Sequence, residues 1–78
     1  MWFVYLLRCG DGTLYAGITN DLKARLAAHR SGRGAKYTRG RGPLEIVHVE
    51  RRRGKAAALR REHALKRMRR AEKLALCA

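Results

Sequence analysis

The sequence predicts an α+β domain, a small three-stranded antiparallel sheet flanked by two to three helices in the order ββαβα(α). Three observations carry this reading. Trp2 to Arg8 and Thr13 to Thr19 are rich in aromatic and branched residues and are separated by Cys9-Gly-Asp-Gly12, the pattern of a hairpin. Leu44 to Glu50 reads as a further strand, opened by Pro43, where a missing N–H does least harm. Lys55 to Arg70 consists mostly of Ala, Leu, Arg, Lys and Glu, all strong helix formers. At 78 residues the expected organisation is one domain over residues 1–78, because so short a chain buries only about 60–65% of its unfolded surface.

In chain order, the hairpin comes first, and its loop decides which strand residues share a face. A three-residue loop, Gly10-Asp11-Gly12, sets Cys9 opposite Thr13, Leu7 opposite Tyr15 and Tyr5 opposite Gly17, so both tyrosines lie on one side. A two-residue loop, Asp11-Gly12, puts them on opposite sides. The glycines flanking Asp11 favour the longer loop, since one position needs a left-handed backbone that Gly adopts without strain. Asn20-Asp21 then supplies an N-cap and a first-turn acid. Leu22, Arg25, Leu26 and His29 recur at i, i+3, i+4 and i+7, which predicts a helix of about ten residues. Ser31 to Pro43 is a loop rich in Gly and Arg, Gly54 closes the third strand, and a break near Arg70 leaves Glu72 to Leu76 as a short last helix.

Nineteen Lys and Arg against six Asp and Glu give a net charge of +13. Such self-repulsion destabilises a compact chain unless phosphates neutralise it, so the composition points to a polyanion, nucleic acid before an anionic membrane surface. The apolar run Trp2 to Leu7 is too short for a signal peptide core or a membrane span. Cys9 and Cys77 have no CxxC context and no paired histidines, which removes a structural zinc site. They are expected as reduced thiols in a cytoplasmic protein, with a bridge between the chain ends as the alternative.

Four features depart from a plain basic domain. Glu62 is the one acid between Arg51 and Ala71, and it shares the apolar stripe of Ala58, Leu59 and Leu65. An inward carboxylate needs a cation: an Arg, Lys66 at i+4, or a metal ion. Arg25 and His29 point towards the sheet, where the Arg can fork onto a phosphate or pair with Glu62. Tyr5 and Tyr15 put polar tips into apolar strands, as core aromatics or as members of a site. Gly32 to Gly42 carries Arg33, Lys36, Tyr37, Arg39 and Arg41, a loop suited to phosphates and bases.

The order of these features resembles the GIY-YIG nuclease domain, and within it the small stand-alone bacterial proteins of YhbQ-like type. Phe3-Val4-Tyr5 stands where the first family tripeptide lies and Tyr15-Ala16-Gly17 where the second lies. Gly17-Ile-Thr-Asn20 leads into the helix; Arg25 and His29 lie in RLAAH, Gly34 to Thr38 reads GAKYT, Pro43 follows, and Glu62 lies in LRREHALK. Phe3 replaces the first family glycine and Ala16 the central isoleucine, so the tyrosines and Gly17 remain.

The resemblance implies a metal-dependent endonuclease that hydrolyses DNA phosphodiesters, with branched, flapped or damaged DNA preferred. Glu62 would hold one Mg2+ or Mn2+ ion, Arg25 would neutralise the scissile phosphate, and Tyr5 would position or deprotonate the attacking water, with Tyr15 orienting the phosphate. His29 and Lys36 would shuttle protons or touch phosphate, and Tyr37 would pack the loop or stack a base; Gly17, Arg33 and Arg39 would join the nucleic-acid contacts. The site is expected on one face of the sheet, with nearby cations lowering the Tyr5 pKa. A targeting protein would supply specificity. The rival reading is a non-catalytic basic module that binds DNA or RNA through Arg60, Arg61, Arg67 and Arg69.

Overall fold

The computed structural model describes residues 1–77. Its elements are β1 (Trp2–Arg8), β2 (Leu14–Thr19), α1 (Leu22–Arg30), a 3-10 turn (Lys36–Thr38), β3 (Glu45–Arg52), α2 (Lys55–Arg67) and α3 (Arg70–Leu76). The sheet is antiparallel with strand order β2-β1-β3, so the apolar β1 is central and β2 is an edge. This is the predicted α+β architecture, with the last helix realised.

The hairpin takes the longer loop. Tyr5 pairs with Gly17 and Leu7 with Tyr15, and the Cys9 amide donates to the Thr13 carbonyl at 2.9 Å. Gly12 supplies the left-handed residue at φ 86°. Asp11 accepts from the Thr13 amide and hydroxyl and pairs with Arg41 at 2.6 Å, tying the turn to the glycine-rich loop.

Alternation along β1 divides the core into two. Val4 and Leu6, with Ala16 of β2, pack against Ala58 and Leu65 of α2, joined by Met68 and Leu76. Leu7 and Cys9 face the other way, against Leu44 and the half-buried Tyr15, Leu26 and Ile46. A bulge in β3 between the partners of Leu6 and Leu7 inserts Val47, so Ile46 serves one layer and Val47 the other. Thus α2 and α3 cover one face of the sheet and α1 covers the other.

The helix ends follow local chemistry. Asp21 caps α1, accepting from the Ala24 amide at 3.1 Å, and His29 and Arg30 sit in its last turn. The break before α3 falls at Met68 and Arg69, where Glu72 reaches back to the Arg69 amide at 2.9 Å and so starts α3 two residues earlier than expected. The strand β3 also runs two residues further than Glu50, because Arg51 and Arg52 still pair with Phe3 and Trp2. The 3-10 turn was not anticipated. Among the described residues both cysteines are free, and no helix is long and apolar enough to cross a membrane.

Candidate active site

Tyr5 is buried at the centre of the α1 face, and its phenol runs over Gly17 towards the β2 edge. The Tyr5 oxygen lies 2.8 Å from Nε2 of His29 and accepts a long hydrogen bond from Nε of Arg25 at 3.4 Å. One turn of α1 separates Arg25 from His29, so the helix sets both over the same hydroxyl. Arg25 uses only Nε in this contact, so its terminal amino groups remain as further donors.

His29 is 2% exposed. Its Nδ1 lies 2.8 Å from the hydroxyl of Thr38, and its ring meets those of Tyr5 and Tyr15 edge to face, with centroids 5.9 and 5.6 Å away. Burial, reinforced by the Arg25 charge, holds the His29 pKa below its ordinary value, so the neutral imidazole is favoured. For Tyr5 burial is also the largest influence and raises the pKa, outweighing the Arg25 hydrogen bond and charge. The expectation that cations lower the Tyr5 pKa is therefore reversed by desolvation. A protonated phenol beside a neutral imidazole is the resting arrangement.

Tyr15 has an aromatic and a cationic neighbour. Tyr37 stacks on it at 5.6 Å between centroids, and the ammonium of Lys66 lies 5.8 Å from its ring centre. The guanidinium of Arg41 lies over the Tyr37 ring, 4.5 Å from its centre. Tyr37 thus packs against Tyr15 and Arg41 while 43% of it stays exposed.

Glu62 comes from α2, the layer on the opposite face of the sheet, which corrects the expectation of a one-faced site. The two layers meet around the β2 edge. There the Glu62 charge acts on the Tyr5 hydroxyl, raising its pKa, while Lys66 bridges from Glu62 to Tyr15. The Glu62 side chain is 12% exposed and its ion pair with Lys66 is loose, 3.6 Å. Arg25 is not its partner. The acid held by an Arg fork is instead Glu50 of β3, which accepts from Arg61 at 2.8 and 3.0 Å, from Arg52 at 2.8 Å and meets His48 at 2.8 Å. The Arg61 hydrogen bonds, foremost, lower the Glu50 pKa to about 2.

No group of three or more His, Cys, Asp and Glu is gathered among the described residues. A lone carboxylate with a weakly held partner suits a hard cation that keeps most of its shell as water and phosphate oxygen, as magnesium does. It does not suit zinc.

The loop residues divide. Arg33 and Arg39 are exposed and tether the loop to itself, Arg33 to the Ser31 hydroxyl and Arg39 to the Gly32 carbonyl. Lys36 is exposed at the head of the 3-10 turn, away from the Tyr5 hydroxyl's hydrogen bonds. Gly17 is buried beneath Tyr5, so its service is space and not contact with nucleic acid. The sequence offered Lys66 as the i+4 partner of Glu62, which the structure shows, but not as a neighbour of Tyr15, and it gave no role to Thr38. Only the position of Thr38 after Lys36-Tyr37 hinted at it.

The GIY-YIG catalytic domain family matches residues 1–75. A UPF0213 protein of Natronomonas pharaonis is 53% identical over 76 residues, which span 97% of this chain and 89% of the relative. A UPF0213 protein of Nitratidesulfovibrio vulgaris is 50% identical over 78 residues, 100% of this chain and 71% of the relative. The solution NMR structure of a UPF0213 protein from Bacillus halodurans has the same fold, with a TM-score of 0.61, 44% identity, and coverage of 97% and 82% of the two chains.

Proposed function

This chain belongs to the GIY-YIG nuclease family, and on that footing we propose that it is a magnesium-dependent endonuclease that hydrolyses DNA phosphodiesters, selecting branched, flapped or damaged DNA by structure. The observation that carries the reading is that Arg25 and His29 both meet the Tyr5 hydroxyl, while the nearly buried carboxylate of Glu62 is held only by a loose pair with Lys66, which also flanks Tyr15. A site that only bound phosphate would gain nothing from an acid beside it.

Arg25 lays its free amino groups on the nonbridging oxygens of the scissile phosphate and offsets the charge that grows there during in-line attack. Tyr5 accepts a hydrogen bond from the attacking water and holds it against the phosphorus. Tyr15, braced by Tyr37 and Lys66, forms the wall that orients the phosphate. Glu62 would hold magnesium, with manganese able to substitute; when bound, the ion supplies Lewis-acid stabilisation of the leaving oxygen. Arg33, Lys36 and Arg39 line the exposed loop and contact flanking phosphates.

The deciding experiment is cleavage of supercoiled plasmid, flap and junction DNA with magnesium or EDTA, with binding followed in parallel. Magnesium-dependent nicking that disappears in Glu62→Gln and Arg25→Ala, while binding persists, supports the reading. Binding without cleavage on every substrate replaces it with a basic nucleic-acid-binding module.

A further inference from the structure

We propose that Thr38 is a positioning residue: it fixes the proton of His29 on Nδ1 and so makes Nε2 the acceptor of the Tyr5 proton during hydrolysis. The proposal rests on the nuclease reading above.

A hydroxyl has one hydrogen to give. That of Thr38 goes to the Ala35 carbonyl, 3.0 Å away across the 3-10 turn. Towards His29 Nδ1, at 2.8 Å, Thr38 can therefore only accept, and Nδ1 must carry a hydrogen. In a neutral ring the lone pair then belongs to Nε2, and the phenol 2.8 Å away must be the donor. The chain of hydrogen bonds runs one way, from Tyr5 to His29 to Thr38 to Ala35.

The surroundings keep the ring neutral and in place. Tyr5 from β1, Tyr15 from β2, Arg25 from α1 and Thr38 from the turn face it, and none is a carboxylate. Gly34 closes the collar. A Cβ there would stand 2.8 Å from Cγ and 2.9 Å from Cα of His29, so residues 34–38 grip the ring by backbone and hydroxyl together.

This geometry removes the difficulty of a phenol whose pKa is raised. As the water oxygen bonds to phosphorus, one water proton passes to the Tyr5 oxygen and the phenol proton passes to Nε2, giving imidazolium. The phosphorus–oxygen bond to the leaving group breaks, and that oxygen takes a proton from solvent water. His29 then returns its proton through Tyr5 to neutralise the hydroxide left behind. Tyr5 need never stand as free phenolate.

The test uses the full chain labelled with 15N, with long-range proton–nitrogen spectra of His29 recorded beside the pH dependence of plasmid nicking. Wild type is expected to show the Nδ1–H tautomer. Thr38→Ser should keep both tautomer and rate, whereas Thr38→Val, folded by its amide spectrum, should mix tautomers, cleave about 100-fold more slowly and shift the acid limb of the profile. A wild-type Nε2–H tautomer overturns the proposal, and that spectrum decides even where Thr38→Val unfolds. So does a folded Thr38→Val with wild-type rate and profile. A wild type with the Nδ1–H tautomer that cleaves no DNA overturns the nuclease reading and the catalytic role together, leaving only the hydrogen-bond direction.

Discussion

Gly17 lies directly against the phenol of Tyr5: a Cβ at residue 17 would stand 2.6 Å from Cζ and 2.9 Å from Cε2 of that ring. Glycine is needed here for close approach and not for backbone freedom. Gly17→Ala should push the phenol off His29 and Arg25, destabilise the fold by about 1–3 kcal/mol as overpacking does, and lower cleavage more than binding. Urea denaturation and nicking rates check this; an alanine variant with wild-type values in both would mean that Tyr5 has room to yield.

Glu62 contributes little to folding and, on the proposed reading, much to chemistry. Its partner Lys66 is half exposed and 3.6 Å away, an ion pair worth about 0–1 kcal/mol. Glu62→Gln should leave the midpoint of unfolding nearly unchanged while magnesium-dependent cleavage falls by about two orders of magnitude or more. A variant that loses stability and keeps activity would reverse these roles.

Glu50 has the opposite profile. Its pKa falls from 4.5 to about 2 on folding, chiefly through Arg61. A depressed carboxylate stabilises the fold fully above its unfolded pKa, and the contribution is lost as pH falls from about 4.5 towards 2. Glu50→Gln should cost about 1.5–3 kcal/mol at neutral pH, the range for hydrogen bonds to charged groups. The gap from wild type should close across that acid window, as denaturation at successive pH values would show; a constant gap would remove the ion network as the cause.

The exposed loop cations should act on affinity alone. Arg33→Ala and Arg39→Ala are each expected to weaken DNA binding and to reduce the slope of log K against log salt by about 1, with the rate from the bound complex unchanged. Salt titrations by fluorescence anisotropy measure the slope. Wild-type binding that is indifferent to salt would sink the electrostatic account.

The elements were largely legible because each rests on neighbours in sequence. The glycines around Asp11 selected the loop, and the loop set the parity that puts Tyr5 and Tyr15 on one face. Spacing along α1 brought Arg25 and His29 together over Tyr5. The 3-10 turn escaped because a three-residue turn within a glycine-rich loop has no periodicity to read. Glu50 escaped because it looked like an ordinary strand acid; only the packing of α2 on β3 brings Arg61 to it, eleven residues away.

The sequence by itself determined the strand faces, the apolar stripes and the excess of positive charge, since these follow from periods of two and 3.6 residues and from composition. Tertiary structure decided the rest. It made β2 an edge, with Lys66 of one layer beside Tyr15, which meets His29 of the other, and it placed Thr38 and Gly34 around His29. It also settled the direction of the Tyr5 shift. The number of cations in a sequence says nothing about how far a phenol is withdrawn from water, and here burial exceeds the influence of the guanidinium beside it.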